Sequence, residues 1–185
     1  VPDQNSVEIL GDGYRSRFGY SMEVLDFNLD GIDDLIVSAP GFNNFNTTVN
    51  GSSPYPDTAY PSFHLFGRVY ILFGHHTRPF PSSVDETIPS SQMSIVSTKV
   101  SLRGLGWKLM KGDINNDGND DILVGCPLDE HNQGRLFGIK STKLPLPNYD
   151  VDIQGVAYLD LVGPKRNTTN EVPEWFGYSA MTTKI

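Results

Sequence analysis

The chain has little positive charge, one cysteine and no long apolar run. Lys and Arg total 14 against 22 Asp and Glu, which gives a formal net charge of -8 over 185 residues. Nucleic-acid binders need a basic face to neutralise phosphates, so this balance argues against that class. It also argues against anchorage on anionic lipid. One cysteine excludes an internal disulfide framework and any multi-cysteine zinc site. Without a run of about 18 apolar residues, no transmembrane helix is expected. The chain starts at Val1 and shows no basic-then-apolar leader. Either such a leader was removed or the chain is a piece of something longer.

Familiar catalytic patterns are missing as well. The four histidines, His64, His75, His76 and His131, have no HExxH or similar spacing. No Gly-x-Ser-x-Gly elbow or phosphate-cradling glycine loop occurs, so no catalytic residue is assigned. His75-His76 reads as a polar turn. Cys126 reads as a small buried filler rather than a nucleophile.

What the chain does have is 18 Gly and 13 Pro, dispersed between short apolar runs. No long stretch shows helical spacing with a cap. The runs Tyr20–Leu25, Leu35–Val37, Val69–Phe73, Ile122–Val124 and Val156–Val162 have the lengths and borders of strands. Several are apolar on both faces, as expected of strands covered on both sides by other layers.

Four landmarks recur in order. Phe18-Gly19-Tyr20-Ser21 is followed by the loop Asp26–Asp34, then Val37-Ser38-Ala39-Pro40, then Gly67-Arg68-Val69-Tyr70. The order returns as Leu105-Gly106-Trp107-Lys108, the loop Asp113–Asp121, Val124-Gly125-Cys126-Pro127 and Gly134-Arg135-Leu136-Phe137. A third copy opens at Phe176-Gly177-Tyr178-Ser179. Gly19, Gly106 and Gly177 are 87 and 71 residues apart, and an insertion at 42–66, rich in Asn, Ser, Pro and Tyr, explains the longer spacing. It reads as a surface loop. A strand-rich repeat of about 60 residues suggests a propeller blade. Trp107 and Trp175 occupy equivalent positions and should pack between blades.

Each loop carries oxygen side chains at positions 1, 3, 5 and 9 and Gly at position 6. In the first these are Asp26, Asn28, Asp30 and Asp34, with the carbonyl of Ile32 at position 7. In the second they are Asp113, Asn115, Asp117 and Asp121, with the carbonyl of Asn119. Calcium takes about 6–8 oxygen ligands, and a tight loop supplies them at alternate positions. An all-oxygen set favours Ca2+ over zinc or copper. The motif is not an EF-hand, because position 12 is Val37 or Val124 instead of Glu. For one loop alone, an ion-free acidic turn is a fair alternative. Two loops in register favour the ion, since converging carboxylates repel unless a cation lies between them. Eight of the 22 acids sit in these loops, so two bound ions would take the net charge from -8 to -4.

The order of these landmarks resembles the FG-GAP repeat family. Within it, the segments Ser16-Arg17-Phe18-Gly19, Leu105-Gly106-Trp107-Lys108 and Trp175-Phe176-Gly177-Tyr178-Ser179 look most like the C-terminal propeller of the glycosylphosphatidylinositol-specific phospholipase D family. The resemblance covers about 14–40, 67–74, 104–139 and 174–180. It implies an all-β fold, a fragment of a seven-bladed β-propeller with about two blades and the start of a third. The expected division is the end of a preceding blade at 1–13, a repeat at 14–103, a second at 104–173 and the start of a third at 174–185. It further implies a secreted, extracellular parent that hydrolyses the inositol phosphate linkage of lipid-anchored proteins. The zinc-dependent catalytic domain would lie upstream and is not recognisable here. The implied partners are the remaining blades, that upstream domain and, through the parent, GPI-anchored proteins. An integrin α-like adhesion propeller that binds protein ligands is the alternative, and a microbial sugar-binding module ranks third. Asn46, Asn50 and Asn167 are glycosylation acceptors in presumed surface loops.

Overall fold

A computed structural model describes residues 7–11, 16–42, 66–77, 80, 92–96, 102–129, 133–143 and 150–163. These residues are nearly all β. Strands β1 (Met22–Leu25), β2 (Asp34–Ala39), β3 (Arg68–Leu72) and β4 (Gln92–Val96) form successive antiparallel pairs. Strands β6 (Lys108–Gly112), β7 (Asp121–Cys126), β9 (Arg135–Ile139) and β11 (Leu159–Val162) do the same in a second sheet. The short pair β5 (Leu102–Arg103) and β8 (Leu128–Asp129) stands apart. Strand β10 (Asp150–Asp152) leaves the second repeat and joins the first sheet beside β4. The one helix among the described residues, α1 (Ile153–Val156), follows it. No described helix is long and apolar enough to cross a membrane.

The two sheets share their register. Met22 faces Val37 across β1 and β2, and Leu109 faces Val124 across β6 and β7. Gly19 and Gly106 precede these strands and donate to Ser38 O and Gly125 O at 3.0 Å. The sheets are therefore two copies of one blade, as expected for a fragment of an FG-GAP β-propeller.

Packing explains why the strand runs are apolar on both faces. The main core lies between the sheets. Ile36, Val69, Ile71 and Ile95 of blade 1 meet Leu109, Ile122, Val124 and Phe137 of blade 2. The opposite face of blade 1 forms a cluster of Ala39, Phe42, Tyr70 and Leu72. That of blade 2 gathers Met110, Leu123 and Leu136. Position in the stack decides exposure. Leu109 faces the neighbouring blade and is 0% exposed, while its counterpart Met22 is 58% exposed. Cys126 is buried at the place of Ala39 and its thiol donates to Arg103 O. Trp107 packs at 5.4 Å from Tyr20 of blade 1, an inter-blade contact. Trp175 and the third repeat lie outside the described residues.

Two expectations need adjusting. The run Val156–Val162 is not one strand. It begins inside α1, and only Leu159–Val162 pairs with β9. The segments at 77–103 and 140–172, which carry no motif, supply β4, β5, β10, α1 and β11. The interior of the insertion at 42–66 lies outside the described residues.

Gly106 shows why the repeat needs glycine at this landmark. Its φ is 83°, and a Cβ there would sit 2.8 Å from the Ser38 Cβ and 3.0 Å from a Val69 methyl. Gly19 has the same backbone, φ 85°, with nothing within 4 Å of its added Cβ. Gly19→Ala should therefore cost only the backbone strain, about 1 kcal/mol, and Gly106→Ala about 2–4 kcal/mol, because blade 1 must also yield. Denaturant unfolding of both variants checks this; equal losses would mean that the close approach does not matter.

Candidate functional site

Each loop starts where an inner strand ends. After β1 the chain enters the loop at Asp26, and after β6 at Asp113. Both loops reverse through two left-handed residues, Leu29 (φ 57°) and Gly31 (φ 90°) in one, Asn116 (φ 61°) and Gly118 (φ 90°) in the other. L-residues rarely adopt this conformation, so a leucine there is held by its surroundings.

Those surroundings are the loop's own carboxylates. Asp26 accepts the amides of Asp30 and Gly31 at 2.9 and 2.8 Å, and Asp113 accepts those of Asp117 and Gly118 at 3.0 and 2.8 Å. Asn28 and Asn115 accept the same Asp30 and Asp117 amides. Asp30 and Asp117 accept the amides of Ile32 and Asn119. The side-chain amides of Asn28 and Asn115 donate back to Asp30 and Asp117. The two loops are the same object built twice.

The position-9 aspartates are buried and serve a second purpose. Asp34 Oδ2 accepts the amides of Phe27 and Asn28, and its Oδ1 accepts that of Gly74, just past β3. Asp121 accepts the amides of Ile114 and of Ser141, just past β9. Each carboxylate thus ties its loop to the far end of the third strand. The first loop is also tied to the second blade, since Thr142 N donates to Phe27 O at 2.9 Å. The sequence reading missed Gly74 and Ser141. A small residue right after each third strand was the available signal.

Electrostatics follow from this burial. Loss of water pushes the Asp34 carboxyl up to about 6, against the three amides that favour its charge. Asp121 is raised for the same reason. Asp117 is exposed, and the Asn119 amide, then the Asn115 side chain, hold it below the usual carboxylate range.

The ten residues assigned to the metal sites therefore fall in two separate places, Asp26, Asn28, Asp30, Ile32 and Asp34 in one, and Asp113, Asn115, Asp117, Asn119 and Asp121 in the other. Within each, the side chains are arranged by backbone amides. Among the described residues no group of three or more His, Cys, Asp or Glu gathers as a metal cluster. The donor set nonetheless fits a hard cation in kind. All its atoms are oxygen, and a carboxylate oxygen that accepts one amide keeps a further lone pair. Asp120 is 4.0 Å from Lys111, an exposed pair worth little. His75 and His76 lie in an exposed turn, where the His75 ring accepts from Thr77 N. His64, His131, Asn46, Asn50 and Asn167 lie outside the described residues.

The repeated sheet with an oxygen-rich loop after its first strand is consistent with a fragment of an FG-GAP β-propeller. A family model for the FG-GAP repeat matches residues 18–53, and the chain carries that repeat. The chain is 31% identical over 163 residues to rat phosphatidylinositol-glycan-specific phospholipase D, covering 88% of this chain and 16% of the relative. It is 33% identical over 179 residues to the mouse protein of that name, covering 96% and 18%. Human integrin alpha-6 matches at 31% over 127 residues, covering 69% and 9%. The chain is thus homologous to both kinds of protein and spans less than a fifth of either phospholipase.

Asp34→Ala should strand three buried or half-buried amides and lower stability by about 2–4 kcal/mol even without metal. Asp33→Ala, which touches none of them, should change it by less than about 0.5 kcal/mol. Urea unfolding in chelator compares the two, and equal effects would show that the tie to Gly74 carries no weight.

Proposed function

We propose that each loop binds one calcium ion. The observation that carries this reading is the duplication of the whole hydrogen-bonded loop, with the same oxygen side chains at the same positions. A solvated turn has no need to repeat a buried carboxylate whose burial opposes its charge. A cation beside Asp34 and Asp121 would offset that opposition and the repulsion among their neighbours. The ion would supply charge compensation and stiffness, held by Asp26, Asn28, Asp30, Asp34 and the Ile32 carbonyl, and by Asp113, Asn115, Asp117, Asp121 and the Asn119 carbonyl. Loops of this kind often need about millimolar calcium, which suits an extracellular setting.

The chain further serves, in this proposal, as the non-catalytic propeller portion of a secreted phosphatidylinositol-glycan-specific phospholipase D-like protein. Its four parts run 1–13, 14–103, 104–173 and 174–185. The blades would support a hydrolase domain elsewhere in the parent, where any zinc chemistry and the contact with GPI-anchored proteins would reside. Matches that extend over 88% and 96% of this chain support it. The integrin matches support a second reading, an adhesion propeller. A histidine-rich hydrolase domain in the complete reading frame favours the first, and a downstream membrane span the second.

Calorimetry on chelator-stripped protein should find two calcium ions per chain. Asp30→Ala and Asp117→Ala should each remove one. At tenfold excess over its dissociation constant, one ion stabilises the fold by about 1.4 kcal/mol. A melting temperature indifferent to both calcium and these substitutions would overturn the proposal.

A further inference from the structure

We propose that the edge of β11 away from β9 is an acceptor for one more parallel strand, contributed by the segment that joins the third and fourth strands of a following FG-GAP repeat. The inference rests on the blade architecture and not on calcium.

The precedent is inside this chain. After β9 the chain does not turn straight back. It crosses to blade 1, where Asp150, Val151 and Asp152 run parallel to Ser94, Ile95 and Val96 as β10. It then turns through α1, whose start is capped by the Asp152 carboxylate on Gln154 N, and returns to its own blade as β11. Ile153 is fully buried in the core between the blades, with Val151, Val156 and Ala157 packed against it. The connector of blade 2 thus clasps blade 1 at its outer edge.

β11 holds the same place in blade 2 that β4 holds in blade 1. Arg68, Val69 and Tyr70 pair with Val96, Ile95 and Ser94, while Arg135, Leu136 and Phe137 pair with Val162, Leu161 and Asp160. The strand edge that receives β10 in blade 1 therefore corresponds to Asp160-Leu161-Val162. Ile95, under the clasp and the neighbouring blade, is 0% exposed; Leu161 is 42% exposed and Val162 47%. Among the described residues β11 pairs with β9 alone. An open apolar edge of this kind templates strand addition. The first repeat points the same way. Phe80, in the connector after β3, packs on the Ala39, Phe42, Tyr70 and Leu72 cluster, the face of blade 1 turned away from blade 2. Both connectors carry Pro-x-Pro, at 79–81 and 145–147. The expected occupant is a short extended segment that alternates acidic and apolar residues and ends in a large apolar one, as Asp150-Val151-Asp152-Ile153 does.

The probe is a synthetic peptide with the sequence of residues 147–157, added at millimolar concentration to the 185-residue chain. Hydrogen exchange followed by NMR should show amides within β11 slowed at least about tenfold, with those of β4 unchanged. A peptide carrying Val151→Pro, which lacks a ladder donor, should give no protection. No slowing with the native peptide, equal slowing with both, or β11 amides already protected in a self-associated chain would each overturn the proposal. Calcium titration of the same sample reads the loops separately, so a failure here does not touch the ion sites.

Discussion

Every blade in this chain must cover two apolar faces, and a single sheet cannot do that alone. The rest of the structure follows from this constraint. Ile36, Val69, Ile71 and Ile95 are fully buried only because blade 2 lies over them. The contrast between Leu109 and Met22 has nothing to do with side-chain chemistry, since both are large apolar residues at the same register position. What differs is whether a neighbour is present. Stability in such a stack is shared between the intrinsic blade and its interfaces. The glycine at the entrance of blade 2 is part of the same constraint, because Gly106 lets the second blade approach Ser38 and Val69 closely.

The loops meet a different demand. A carboxylate buried at 34 or 121 costs desolvation, and three or two amide hydrogen bonds answer it only in part, as the upward displacement of both groups shows. The arrangement nevertheless fixes the loop to the residue after the third strand, Gly74 or Ser141. One aspartate therefore has two uses, a structural tie that the hydrogen bonds display and a proposed ligand. The conflict between burial and charge is what makes the second use physically reasonable.

The repeat and its loops were legible in the sequence because backbone geometry dictates residue type there. Left-handed turns call for Gly31 and Gly118, amide-accepting positions call for Asp and Asn, and strands buried on both faces call for continuous apolar runs. The outer parts of the blades were not legible. Asp150-Val151-Asp152 belongs to a stretch without a motif, and its pairing with β4 makes it a strand. The run at Val156–Val162 looked continuous because the last residue of α1 is apolar like the strand that follows. Gly74 and Ser141 act through their backbone amides, which leave no trace in residue type beyond small size.

The two devices that hold the blades act at opposite ends of the sheets. The loops leave the inner strands β1 and β6, whereas the clasp closes over the outer strand β4. A blade fixed only at its inner end could splay outward, and one fixed only at its outer edge could open toward the inner strands. Thr142 links the two ends, since the segment that leaves β9 toward the clasp also donates to Phe27 in the first loop. Stiffening a loop with a cation should therefore also steady the path of the connector. The proposed metal sites and the strand that blade 2 lends to blade 1 then become parts of one mechanical design, in which the first repeat is completed by its neighbour at both rims.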